Sequence, residues 1–440
     1  MTEFLLFLIF LAPTIQYRVE LQAFSFAIME PVVLLASGIL VLRALSRKEA
    51  FQIPRTWPEI GLIGLVAWAI LIRPWSQDWK HGLSDIRDWV IPVVTFLTLR
   101  MTIRRDWRRA IEMVVAVVSL TAMVGVYQGI TGNLRPFISP EANLKLAPGS
   151  VAPQGVGWDP ASGLSVWQFY AQQARLSEQG LLPTDKALET AESQVAPPFA
   201  VGFFAHPNSM GMFLTAGFLL VLGWAIEIRR PEGWLVLGLA GLALALTYAK
   251  TSYVVLAGEL IALFLVRRIR SLKVLAAMTL ASVVAALLLL SKLPASVIGS
   301  LAWRYGLWTT AFHLVASSPL ILLFGNGMDP YGNVAYYFQP HNSFIYLLLE
   351  FGLLGLCLIL GVLACVAVKG WQDGSDGLWE QSWILPVLWI AALGFFAIGL
   401  TESVLLGIES RMIVLSFFAC YLGLRRDLRA ARPTLERHAL

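Results

Sequence analysis

Apolar runs recur along this chain at lengths suited to crossing about 30 Å of hydrocarbon, and that recurrence limits the fold more than any other feature. Roughly twelve can be marked, at 4–15, 24–43, 59–73, 87–103, 109–131, 200–227, 233–249, 251–267, 274–292, 342–368, 382–404 and 411–424. Inside a bilayer every backbone N–H and C=O has to be satisfied within its own segment, which leaves the helix as the element for such runs. The expectation is an all-α polytopic membrane protein with about twelve transmembrane helices. Composition agrees: 57% of residues are hydrophobic and only 14% charged, with a mean hydropathy of +0.69, whereas about a quarter of an ordinary soluble chain is charged. The 16 Trp and 11 Tyr suit a chain that meets two interfaces many times, because these rings anchor at headgroup level. Met1 to Ile15 has no basic n-region and no small-residue cleavage site, so a cleavable signal peptide is not expected.

The net charge of +5 and the pI of about 9.1 do not point to nucleic acid, because the cations lie in short clusters between apolar runs. Arg43, Arg47, Lys48 and Arg55 follow the second run, and Arg100, Arg104, Arg105, Arg108 and Arg109 separate the fourth from the fifth. Arg229 and Arg230 follow the sixth, Arg267, Arg268, Arg270 and Lys273 the eighth, and Arg425, Arg426, Arg429, Arg432 and Arg437 the last. If twelve spans alternate, all these clusters share one side. The positive-inside rule makes that side cytoplasmic, together with both termini.

The loops 74–86, 132–199 and 293–341, and the turns near Lys250-Thr251-Ser252 and from Thr401 to Arg411, are then extracytoplasmic. The elaborated face is the outer one. The chain divides into N-terminal spans (1–131), a large loop (132–199), central spans (200–292), a second loop (293–341) and C-terminal spans with a basic tail (342–440). Within the first loop, helical periodicity over Ala161 to Glu178 and again from Thr184 to Ser193 suggests a folded cap.

Ionisable groups collect at the outer face. Pro340-His341-Asn342-Ser343-Phe344 runs directly into the apolar helix expected from Ile345 to Val368, so His341 stands at the membrane boundary, where costly polar groups are retained for a task. A plainer reading has Asn342 or Ser343 capping the helix beside a solvated His341. Arg304, among the aromatics of Trp303-Arg304-Tyr305-Gly306-Leu307-Trp308, can offer a planar fork to a phosphate or simply anchor at the headgroups. Lys250 lies in a tight outer turn, as a ligand-binding charge or a snorkelling side chain. In Phe204-Ala205-His206-Pro207-Asn208, Pro207 can kink the sixth span and open a polar pocket for His206 and Asn208, or Asn208 can just satisfy the kink. Glu402, Glu409 and Arg411 crowd the last outer turn, where an internal ion pair is expected. His81 and His313 lack comparable surroundings. Cys357, Cys365 and Cys420 lie within apolar runs at no metal-ligand spacing. No carboxylate pair, metal cluster, phosphate-binding glycine loop or nucleophile elbow is visible. An outer-face enzyme of this kind needs a substrate already activated, and a lipid-diphosphate-linked sugar has its leaving group built in.

In order, His206-Pro207-Asn208, Thr247-Tyr248-Ala249-Lys250-Thr251, Arg304 with Trp308, Pro319-Leu320, Gly325-Asn326-Gly327, Pro340-His341-Asn342-Ser343 and Glu350-Phe351-Gly352-Leu353-Leu354-Gly355 resemble the motifs of the O-antigen ligase/polymerase superfamily. The resemblance covers most of Phe199 to Leu424. It implies a bacterial inner-membrane glycosyltransferase of about twelve spans, which moves a glycan from undecaprenyl diphosphate to lipid A-core, or to a second lipid-linked glycan, without a cofactor or metal. It places diphosphate binding on Arg304 and general-base or orienting work on His341; Lys250, His206, Asn208, Asn342 and Arg411, on the same outer face, are the expected substrate contacts. The family often has Ser-Arg where this chain has Ala249-Lys250, so the bidentate fork is lost there. Ligase and polymerase both remain open, with the motif evidence leaning to ligase. A transporter or flippase is the alternative from another class, kept alive by Glu227, Glu259 and Glu350 in or near spans.

Overall fold

The computed structural model describes residues 2–15, 18–21, 24–27, 29–46, 56–72, 82–131, 200, 203–204, 207–268, 295–327, 341–400, 402 and 408–438. Helices α1 (Thr2–Leu11, continued by a 3-10 turn Ala12–Thr14), α2 (Met29–Ser46), α3 (Trp57–Leu71), α4 (Gly82–Thr131), α5 (Pro207–Ile228), α6 (Pro231–Ala245) and α7 (Lys250–Arg268) make the first part. Helices α8 (Ala295–Ala316), α9 (Pro319–Phe324), α10 (Ser343–Ser375), α11 (Leu378–Gln381), α12 (Ile384–Gly399) and α13 (Ile408–His438) make the second. Among the described residues Trp107–Thr131, Asn208–Ile228 and Ser343–Ser375 are long and apolar enough to cross a membrane, and Thr2–Thr14, Trp57–Leu71, Pro231–Ala245 and Ile384–Gly399 are shorter apolar helices. The run at 274–292, the loop 132–199 and the helices expected within it lie outside the described residues.

Two expectations need correction. The run 24–43 is not helical throughout: Arg18–Leu21 (β1) and Phe24–Ala27 (β2) form an antiparallel ribbon, with Val19 opposite Phe26 and Glu20 opposite Ser25, and α2 starts only at Met29. The polar–apolar alternation of Arg18-Val19-Glu20-Leu21 and Phe24-Ser25-Phe26-Ala27 has the two-residue period of a strand. The loop 293–341 is not irregular throughout either, since α8 and α9 occupy its first part. Ile298, Leu301, Tyr305, Trp308, Ala311 and Val315 repeat every three or four residues, a helical stripe that is too interrupted to register as a continuous apolar run. Ala311 and Val315 of that stripe are buried against Ile345, Leu348 and Leu349 of α10.

The helices stand in two directions. Phe395 and Phe396 of α12 meet Phe417 and Phe418 of α13 edge-on, at ring-centre distances of 5.3 and 5.8 Å. Gly223 near the end of α5 lies against Trp383 and Val387 at the start of α12, and Gly125 of α4 faces Met210 at the start of α5. Along α13, Arg411 stacks on Trp89 and Gly423 faces Ile103. Trp89 and Gly125 therefore lie at the same end of the bundle, whereas a straight helix would separate them by about 54 Å at 1.5 Å per residue. The parts of α4 on either side of 103–107 run in opposite directions, as the separate runs 87–103 and 109–131 anticipate.

This geometry gathers the arginines. Arg100 pairs with Glu59 at 3.1 Å, Arg109 with Glu3 at 3.2 Å, and Arg425 and Arg429 with Asp373 at 2.7 and 3.0 Å. Arg267 lies over the Trp383 ring at 3.8 Å. All belong to one end of the bundle, hereafter the basic end. Between the ends runs a core of interlocked Leu99, Val118, Leu214, Leu219, Leu388 and Phe395, each almost fully excluded from solvent.

Helix α10 is broken. Gly352 has φ +65° and ψ −169°, values that no side chain adopts without strain. The break frees carbonyl groups of the preceding turn, and two of them are bonded across the joint. Asn326 N–H donates to Leu349 O at 2.7 Å, and Trp68 Nε1 donates to Phe351 O at 3.0 Å. Gly325, at φ +85°, packs its backbone onto Glu350 and Gly352 so closely that a Cβ on either glycine would collide with main chain. Thus Gly325-Asn326-Gly327 and Glu350-Phe351-Gly352, separate motifs in the sequence, are the two halves of one joint.

Candidate functional site

The joint stands away from the basic end and aims the start of α10 at the site. Asn342 caps that helix: its side-chain oxygen accepts from Phe344 N at 2.9 Å and Ile345 N at 3.0 Å. Its amide nitrogen reaches across to donate to Leu400 O at 2.9 Å, and Ser343 Oγ donates to Glu402 O at 3.1 Å. The cap expected of Asn342 is present, and it also ties the end of α12 to the start of α10.

His341 precedes the cap at φ +43°. A non-glycine residue in that region costs of order 1–3 kcal/mol, and such strain persists where surroundings enforce it, often at functional sites. Here the neighbour is Glu402. His341 Nδ1 lies 3.9 Å from Glu402 Oε2, an electrostatic contact longer than a hydrogen bond, while Arg304 Nη2 donates to Glu402 Oε1 at 3.1 Å. The imidazole is the most open of the three, 37% exposed against 18% for Arg304 and 16% for Glu402.

Burial alone pushes the Glu402 carboxyl up, but His341 and the Arg304 guanidinium more than offset it and hold the group below its ordinary value. Glu402 is therefore a carboxylate at neutral pH. It attracts the His341 ring electrostatically at 3.9 Å and accepts one hydrogen bond from the Arg304 guanidinium.

An internal ion pair was expected among Glu402, Glu409 and Arg411, and for Glu402 this is corrected. Its partners come from α8 and from the start of α10, while Arg411 is buried and stacked at 4.0 Å on Trp89 of α4. The clue was available, since Glu402 is an acidic residue on the face where Arg304 and His341 were already expected. What periodicity could not supply was the helix α8 that carries Arg304 to it.

The remaining expected residues divide. Lys250 is the exposed first residue of α7, after a turn with Tyr248 at φ +54°. Asn208 lies in the first turn of α5, and α5 and α7 meet there, because Gly211 faces Ala249 and Ser252. The Pro207-Asn208 and Ala249-Lys250 motifs are thus neighbours at the end opposite the arginines. His206 lies outside the described residues. Among the described residues no group of three or more His, Cys, Asp or Glu side chains is placed to hold a metal ion.

A scan against protein-family models finds no match, and no curated protein matches the chain.

Proposed function

We propose that the chain is a lipid-linked glycan transferase of the inner bacterial membrane, crossing it about twelve times with the basic end inward. The observation that carries the reading is the convergence of Arg304 and His341 on the Glu402 carboxylate, at the end of an apolar bundle opposite its arginine clusters. The resemblance of its motifs to O-antigen ligases supplies the substrate class.

In this reading the donor is a glycan on undecaprenyl diphosphate and the acceptor is a hydroxyl of lipid A-core. The acceptor oxygen bonds to the anomeric carbon as the bond from that carbon to the diphosphate oxygen breaks, and undecaprenyl diphosphate leaves with the electron pair. His341 Nε2 takes the hydroxyl proton, and the new imidazolium is stabilised by Glu402. The Arg304 guanidinium meets the charge that grows on the leaving diphosphate. Lys250, Asn208, His206 and Asn342 line or support the donor path, and Arg411 backs the site through Trp89.

A polymerase would use the same chemistry on a second lipid-linked glycan. A transporter is favoured by the break in α10, since broken helices mark transporter sites. Against it, the carbonyl groups of Leu349 and Phe351 at this break are already bonded to Asn326 and Trp68.

Deleting the gene and analysing the undecaprenyl-linked glycans separates these readings. Long lipid-linked polymer with bare lipid A-core is the expected result. Accumulated single repeats mean a polymerase, and unchanged glycan length and attachment would return the transporter.

A further inference from the structure

Glu259 sits midway along α7 and takes no part in the site described above. It is 5% exposed, and among the described residues neither carboxyl oxygen has a hydrogen-bond partner. Room for it comes from Gly394 of α12, where an added Cβ would collide with Oε1. The space is a glycine-sized notch, and the carboxyl fills it.

Among the described residues no charge faces it from the elements packed against α7. Helix α12 has no ionisable residue between Ile384 and Gly399, and the single one on α5, Glu227, is engaged elsewhere, accepting from Ser382 Oγ at 2.8 Å and Trp383 N at 3.1 Å. On α7 itself, Lys250 is exposed at the far end, Tyr253 donates to Ala245 O, and Arg267 and Arg268 stack on Trp383 and Phe264. An unpartnered carboxylate in such surroundings is costly enough that the group binds a cation instead. Metal cations of the hard class need several oxygen ligands, and among the described residues no further acidic side chain joins the carboxyl at this notch.

We propose that Glu259 is an intramembrane proton-binding site, whose bound proton lets α7 seat against α12. Ionisable residues inside spans are retained for such tasks, and here the ligand is the smallest one available. The site is linked by position to the outer face, because α12 leads within a few residues to Leu400, which holds Asn342, and to Glu402. The inference stands independently of the transferase reading.

Infrared difference spectra of the full chain in lipid nanodiscs, wild type against Glu259→Gln, test it without any substrate. A carboxylic-acid C=O band at neutral pH, at the frequency of an acid lacking a hydrogen-bond donor, is expected in wild type and lost in the variant. Raising the pH should bleach that band and lower the wild-type melting temperature while leaving Glu259→Gln unmoved. No difference band at neutral pH would mean an ionised Glu259 and would overturn the proposal. If Glu259→Gln does not fold, Glu259→Leu decides: a melting temperature equal to or above wild type is expected for a carboxyl with no protein partner, and a fall of several degrees overturns it.

Discussion

At the basic end Asp373 takes every bond it can accept, while at the opposite end Glu402 is shared and left partly open. Asp373 has a fully buried side chain that receives Tyr421 Oη at 2.8 Å, Arg425 Nε at 2.9 and 2.7 Å, and Arg429 Nη2 at 3.0 Å. The donors come from α13 and the acceptor from α10, so the cluster fastens two long helices. Glu402 instead meets one arginine and a histidine that is more than a third exposed. Both clusters have a carboxylate between basic side chains, yet only in the second is the closest basic ring, that of His341, more than a third exposed while standing beyond hydrogen-bond distance. On the proposed function the difference separates a fastening from a reaction site, and counting ion pairs would have scored the two alike.

Substituting His341 by Ala is the strongest way to break this contrast. Transfer per folded molecule should fall about 10²–10⁴-fold, the usual share of a general base, while the melting temperature stays near wild type. Full transfer by that variant would remove His341 from the chemistry. Asp373→Asn should do the reverse: removing one partner of a buried pair costs about 3–5 kcal/mol, seen as a lower unfolding midpoint, with turnover of the remaining folded protein unchanged.

Glu402→Gln sharpens the comparison from the middle. Its loss of orientation at His341 should lower transfer about 10–100-fold, the order found when a group that orients a reacting partner is removed. The pH dependence has a definite sign. Because the folded carboxyl is held below its ordinary 4.5, its contribution to stability is present above about pH 4.5 and is lost as the pH falls through the lower folded value. Wild type should therefore lose melting temperature in acid, and the gap to Glu402→Gln should close there. Parallel acid slopes would mean that the carboxylate gains nothing from Arg304 and His341. The smallest effect is expected for Arg429→Ala: its guanidinium is 40% exposed, so chemical denaturation should register less than about 1 kcal/mol, far below Asp373→Asn.

Much of the helical scaffold was legible because apolar length reports on which segments form long helices, and basic clusters on where they turn. The arginines 100, 109, 267, 425 and 429 were expected on one side and share one end. Asn342 was legible as a cap, and His341 and Arg304 as residues of one face. The pairings were not legible. Nothing local in Asp373 says that Tyr421 and Arg425 will meet it from a helix some fifty residues on, and nothing in Glu402 distinguishes a partner in its own turn from one on α8. Glu259 stood out as an acid in an apolar run, but its isolation depends on a glycine in another helix. The ribbon at 18–27 was overridden by a reading tuned to length, which passes over a period of two.

The joint at Gly352 has a consequence for how the chain tolerates change in length. It divides α10 into a short arm, from Ser343 to Phe351, and a long mast that ends at Ser375 and holds Asp373 in its last turn. Adding one residue to the arm would turn His341 by about 100° around the helix axis, away from Glu402, because Leu349 and Phe351 are pinned to Asn326 and Trp68. The stretch from His341 to Gly352 is therefore inelastic, a spacer cut to one length. The mast is held on its own account, by Trp389 of α12 donating to Val366 O at 3.1 Å and by Asp373 bonding to Arg425 of α13, so a residue added there strains those contacts rather than the histidine.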